Sequence, residues 1–210
     1  MKKHILITAC IILLTSCAVN RQVKYDGLKM NLSEIKTKNI SVALLDQREA
    51  VIDGSRKPDF VGYMRSNVGI AFPIGTESKN NFMSDLSSNI ENSLSRFGAN
   101  VNNINTSHTE KEDEVKSKLL ATDGDKKIFF VFDELHTDGM AIQVLHYKIN
   151  VFVYNKNNEL LKYKVFDETR KLGGNVAFGA GPYKRYMPEA IVKLFEDILN
   201  DEEILTSINM

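Results

Sequence analysis

The densest chemistry in this chain is a set of arginines spaced among aromatic rings. Between Gln47 and Lys79 the sequence places Arg48, Asp53, Arg56, Lys57, Asp59 and Arg65 alongside Phe60, Tyr63 and Phe72. A guanidinium fork holds a carboxylate or phosphate through two bonds and also stacks on a ring, so this mixture suits a protein interface or an anion site. The plainer use of the same residues is internal, with Asp46, Arg48 and Asp59 pinning the segment through ion pairs. A second candidate is the glycine-rich run Gly173-Gly174 to Gly179-Ala180-Gly181-Pro182, which precedes a helical pattern. Free amides at a helix start can hold an anion. A flexible turn explains the run more simply, because no ribose-binding acid completes a nucleotide fingerprint. The candidate binding residues are therefore Arg48, Arg56, Asp59, Phe60 and Arg65, with the backbone near Gly179 and Gly181.

Catalytic patterns are missing. The sequence contains no G-x-S-x-G elbow, no H-E-x-x-H pair and no glycine-rich loop with a phosphate-binding lysine. His108, His136 and His146 read as surface polar residues; His136 and His146 flank one hairpin, but no further ligand falls at metal-site spacing. The chain reads as a protein that is not an enzyme, with no cofactor and no metal.

These residues need elements to position them. Asn39 to Leu45 and Lys127 to Leu135 are apolar on both sides, as central strands are. Residues 47–79 carry four glycines, two prolines and no sustained period, and read as one long packed loop. Asn80 to Phe97 spaces Met83, Leu86, Ile90 and Leu94 by three and four, a helical stripe that Gly98 ends. A short strand at Ala99 to Ile104 and a weaker helix at Thr109 to Ala121 follow. Ala141 to Tyr154 alternates Leu145, Tyr147, Ile149, Val151 and Val153 with His146, Lys148 and Asn150, after a Thr137-Asp138-Gly139 turn. Glu159 to Glu168 is the next strand, and a last helix ends at Leu199. The order β-α-β-α-β-β-β-α gives a single α/β (α+β) domain, a mixed sheet with about three helices. If the crossovers are parallel, the long loop, the Thr137 to Gly139 turn and the glycine-rich run all lie at the carboxyl end of the sheet, where ligands bind in open α/β folds.

The N-terminus is an address. Lys2 and Lys3 precede a short apolar run from Ile5 to Leu14, the form of an export signal and too short for the ~20 residues that span a bilayer. Leu14-Thr15-Ser16-Cys17 resembles the lipobox of bacterial lipoproteins. The resemblance implies that residues 1–16 are removed and that Cys17 carries a diacylglycerol, with Ala18 directing the protein to the periplasmic face of the outer membrane. Cys10 would leave with the signal, so the mature chain would have no free thiol for a disulfide or nucleophile. It would carry 25 basic and 27 acidic residues, since Lys2 and Lys3 leave the total of 27 of each. No basic stripe marks a nucleic-acid partner. Residues 17–37 read as a polar tether and residues 38–210 as the domain.

The lipobox, the Asp46-Gln47-Arg48 element closing the first strand, the Gly54 to Gly62 stretch and the helix ending in Phe97-Gly98 together resemble small bacterial lipoproteins of the YajG-like family. More distantly the chain is similar to the N-terminal α/β domains of periplasmic proteins such as TolB. The resemblance brings no catalytic residues. The expectation is a membrane-anchored adapter or assembly factor that meets another envelope protein or polymer, or a binding module for a small anionic ligand or glycan.

Overall fold

The computed structural model describes residues 22–66, 68–140, 142–173 and 180–210, with 180–182 as backbone only. The signal, Cys17, Ala18 and Gly179 lie outside the described residues. Among the described residues thirteen elements follow one another: β1 Gln22–Val23, β2 Asn39–Asp46, α1 Glu49–Ile52, β3 Phe60–Arg65, β4 Ala71–Thr76, α2 Phe82–Ser95, β5 Asn100–Ile104, α3 Glu112–Leu120, β6 Lys126–Asp138, β7 Gln143–Asn155, β8 Leu160–Gly173, α4 Ala180–Leu199 and α5 Glu202–Asn209.

All eight strands join one mixed sheet, as expected of an α/β domain. β6 organises it. β7 pairs along one of its edges, and the other edge is shared by two strands in succession. β2 runs parallel to β6 up to Asp46 beside Phe132; β3 then takes the same edge higher up, with Gly62 beside Thr137. β5 lies parallel on the far side of β2, β4 antiparallel on β3, and β8 antiparallel on β7. The carboxyl ends of β2, β3, β5, β6 and β8 therefore all point one way, called the upper end below.

The alternation in β7 decides which face is which. Leu145, Tyr147, Ile149, Val151 and Val153 enter the main core with Ile128, Phe130 and Phe132, beneath α2, α4 and α5. α2 begins where the Asn81 side chain accepts the Met83 N–H, buries Met83, Leu86, Ile90 and Leu94, and gives way to Gly98 at φ +76°. On the other face a smaller core joins Val115 and Leu119 of α3 to Ala43, Leu45, Phe129, Val131 and Tyr154.

Three parts of the architecture differ from the sequence expectation. Residues 47–79 are not one loop: α1, β3 and β4 interrupt them, and Gly62, Pro73 and Gly75 inside the strands hid their alternation. The polar segment before residue 38 is packed and not a free tether. Val23, Tyr25, Met30 and Ile35 are all 1–2% exposed. Asn89 holds this segment by donating to the Tyr25 carbonyl at 2.6 Å and accepting from the Leu28 N–H at 3.0 Å. Asn31, Ser33 and Lys36 bond on to Glu196, Asn200 and Asn209. Finally, beyond the expected helix end at Leu199, α5 adds a further helix capped by Asp201, which accepts the Ile204 N–H.

Candidate functional site

Coverage of the sheet is unequal. α3 has nine residues, about 14 Å at 1.5 Å each, and lies over the lower end of β6, a strand of 13 residues and about 44 Å. Above it, among the described residues, the four-residue α1 only borders that face through Glu49 and Ala50. Even-numbered residues of β7 and their neighbours on β6 and β8 line it. His136, His146 and Thr169 stand side by side in register, the two imidazoles stacked with centroids 5.1 Å apart. Lower down, Phe152 stacks on Tyr163 at 4.6 Å, and Asn150 joins the Tyr163 hydroxyl to the Asp133 carboxylate.

A recess of about 410 Å³ opens where this face meets β3, lined by Arg48, Glu49, Phe60, Tyr63, His136 and Lys148 among others. Phe60 and Tyr63 meet edge to face at 4.9 Å. The Arg56 guanidinium lies 5.2 Å from the Tyr63 ring centroid and donates to its hydroxyl at 3.2 Å. Burial holds the His136 imidazole below its ordinary range; Glu134 opposes this and His146 adds to it. The lining thus combines two rings, the Lys148 ammonium paired with Asp133 at 3.8 Å, the Glu49 and Glu134 carboxylates and an imidazole that favours its neutral form. Such a surface offers an amphipathic group both stacking faces and hydrogen-bonding partners. Among the described residues no three His, Cys, Asp or Glu side chains group to hold a metal ion.

The residues singled out in the sequence separate into different roles. Arg48 is not a surface residue: its side chain is 5% exposed and Asp46 1%. It donates to both Asp46 carboxylate oxygens at 2.7 Å, to the Phe60 carbonyl at 2.7 Å and to the Leu135 carbonyl at 3.2 Å. The reason is the strand exchange on β6. Between the end of β2 and the start of β3 that edge loses its backbone partners, and the guanidinium fills the gap. Phe60 does line the recess, whereas Arg56 does not: it lines a neighbouring hollow of about 310 Å³ with Asp59, Phe60 and Gly75. Asp59 sits below the recess, against Gly75. Arg65 is at the upper tip and takes the Asp138 carboxylate with two bonds of 2.6 Å, which lowers the pKa of that carboxyl. Gly181 falls in the first turn of α4.

At the upper end the Arg65 N–H donates to Gly139 O at 3.1 Å and Gln143 pairs with Gly173; residues 174–179 of the glycine-rich run lie outside the described residues, and Thr137 and Asp138, expected in a turn, are the last residues of β6. Tyr63, His136 and Lys148 come together only because β3 joins β6 above β2. The sequence offered one clue, the placement of His136 and His146 on either side of a hairpin.

No family model matches the chain, and no curated protein does. Among solved structures, a Xanthomonas campestris protein of family DUF330 superposes with a TM-score of 0.53 at 10% identity, covering 83% of this chain and 91% of its own. A lipoprotein from Neisseria meningitidis aligns at a TM-score of 0.35 and 11% identity, over 76% of this chain and 99% of its own. The first likeness is one of fold.

Proposed function

We propose that this chain is an envelope lipoprotein, held by a lipid on Cys17 at the periplasmic face of the outer membrane, whose domain is a non-catalytic adapter. In this reading its finer relationship is to the YajG-like lipoproteins. The observation that carries the adapter role is the open upper face, where a recess of about 410 Å³ with Phe60 and Tyr63 at its wall is left uncovered beside α3. Aromatics and arginine set in such a recess are the anchors that protein interfaces favour. The Leu14-Thr15-Ser16-Cys17 sequence supports the anchor.

Two experiments test the two halves. Cys17→Ser should abolish lipid labelling and leave uncleaved or released protein; processed, lipid-labelled Cys17→Ser protein refutes the anchor. A photo-crosslinking residue in place of Lys148, whose side chain lines the recess and is 46% exposed, should yield one dominant envelope adduct that is lost in a Tyr63→Ala background. Adducts unaffected by Tyr63→Ala refute the interface.

A second reading, a site for a small anionic ligand or glycan, is favoured by the same recess, because Lys148 lines it beside Phe60 and Tyr63 and Arg56 stacks on the Tyr63 ring. Ligand-induced shifts of the Tyr63 and His136 resonances on titration with anionic sugars would favour it over the adapter role.

A further inference from the structure

Beyond the open face, the strands end in two tips that are apolar where they meet solvent. Val68 and Ile70, at the β3–β4 tip, are 80% and 57% exposed, and Met140 and Ile142, at the β6–β7 turn, 46% and 51%. These tips are fastened together by the Arg65 N–H on Gly139 O and by the Arg65–Asp138 pair, with side chains 39% and 25% exposed. Single exposed aliphatics are ordinary on a protein surface; four of them on two joined tips form an apolar promontory.

The beginning of the described chain shows what this promontory faces. β1 pairs in parallel with β4, Gln22 beside Gly75 and Val23 beside Thr76. β4 runs downward from its tip, so the first residue of β1 is directed toward the tip end. Ala71 stands four residues above Gly75, about 14 Å along the strand. Cys17 is five residues before Gln22, a reach of at most about 17–18 Å. The opposite end of the sheet is out of that reach. Phe60 pairs with Gly75 and stands two residues below Gly62, which pairs with Thr137. That sets Gln22 near the level of Leu135, and β6 continues nine residues down to Lys126, about 30 Å. Cys17 can therefore lie level with the promontory but not with the β7–β8 turn.

We propose that the upper end rests on the bilayer, with Val68, Ile70, Met140 and Ile142 seated in its interfacial layer beside the acyl chains of Cys17. The inference rests on the lipoprotein reading and deepens it. Acyl chains fix the distance of a domain from the membrane but leave it free to rotate; a second apolar contact fixes its orientation. With the tips in the interface, the recess at Tyr63 and His136 opens sideways, close above the headgroups, and its partner is met along the membrane surface.

The chain has no tryptophan, so single tryptophans report position without background. Ile70→Trp, Met140→Trp and, at the other end, Leu160→Trp, where Leu160 is 52% exposed, are prepared as the full, processed and lipidated protein. Each is reconstituted in phosphatidylethanolamine–phosphatidylglycerol vesicles with plain or brominated acyl chains. Emission of the first two should shift to the blue and be lost in brominated vesicles, while Leu160→Trp keeps its water-exposed emission in both. Water-exposed emission at Ile70→Trp and Met140→Trp overturns the inference. A blue shift without bromine quenching also overturns it, because a second copy or a protein partner then covers the tips. Equal quenching at Leu160→Trp overturns it as well. The mass of the processed chain separates the two levels: absence of the lipid sinks the lipoprotein reading, whereas lipidated protein with unquenched tips sinks only the docking. Melting temperatures matching the parent confirm that the variants are folded.

Discussion

Arg48→Met removes the guanidinium while keeping an apolar stem of similar length, and it separates a structural arginine from a binding one. In the folded chain four donated bonds run from this side chain to the Asp46 carboxylate and to the carbonyls of Phe60 and Leu135, all within 3.2 Å. Methionine leaves two carbonyls without this donor and strands a carboxylate that is only 1% exposed. Breaking a buried ion pair on one side costs about 3–5 kcal/mol. The stranded carbonyls, each costing about 1–3 kcal/mol alone, overlap with that figure because they share one donor. In a domain of this size each kcal/mol lowers Tm by about 2–4 °C, so a fall of roughly 6–20 °C is expected. The double variant Asp46→Leu with Arg48→Met should regain a large part of the loss, since no unpaired charge remains. Thermal melts and urea unfolding of the three proteins measure both effects. A single variant within about 1 kcal/mol of the parent would refute the reasoning and return Arg48 to the list of surface binding residues.

Leu94 is fully buried on the inner face of α2, so Leu94→Ala should cost about 2–5 kcal/mol while exposed Asn92→Ala changes little; equal effects in urea unfolding would take α2 out of the core. Gly62 has φ +151°, and a Cβ there would stand 2.2 Å from the Thr137 hydroxyl and 2.5 Å from its backbone nitrogen. Gly62→Ala should therefore detach β3 from β6, seen as lost hydrogen-exchange protection from Tyr63 to Arg65, and retained protection counts against the pairing. Burial sets the folded-state pKa of His136 below its unfolded value, so the unfolded chain takes up the proton first. The corresponding stability is complete above about pH 6.5 and is lost as pH falls from there through the folded-state value. His136→Gln should flatten that part of the stability profile; superimposable profiles would contradict it.

Periodic segments were legible in the sequence and irregular ones were not. β2, β6 and β7 alternate or run apolar without interruption, and α2 repeats its leucines and isoleucine at helical spacing; each buries the residues expected of it. The segment around Val23, Tyr25, Met30 and Ile35 packs just as tightly, but its anchors follow no period because it crosses α2, α4 and α5 in turn without regular structure of its own. β3 and β4 escaped detection because a bulge between Phe60 and Gly62 and a proline at position 73 break a two-residue alternation within six-residue strands. At the candidate site the residue types were readable and their solvent access was not. Whether an arginine after a strand lines a surface or plugs an edge depends on where the next strand re-enters, and that is a tertiary fact.

The strand exchange on β6 ties these features together. A sheet in which β2 simply continued would have paired the upper edge of β6 with no place for Arg48 and no β3–β4 hairpin beside it. Instead the chain leaves at Asp46, turns through α1, and returns at Phe60 to the same edge. This exchange places Phe60 and Tyr63 against His136, and it also lifts Val68 and Ile70 beyond the end of β2 to meet Met140 and Ile142. The recess and the apolar promontory are thus two sides of one hairpin, held at its base by the Arg48 network and at its tip by the Arg65–Asp138 pair. Because the hairpin is fastened at both ends, a force on the tip is passed to the recess as a rigid displacement more readily than it is absorbed by bending. A contact that orients the tip therefore also orients the recess.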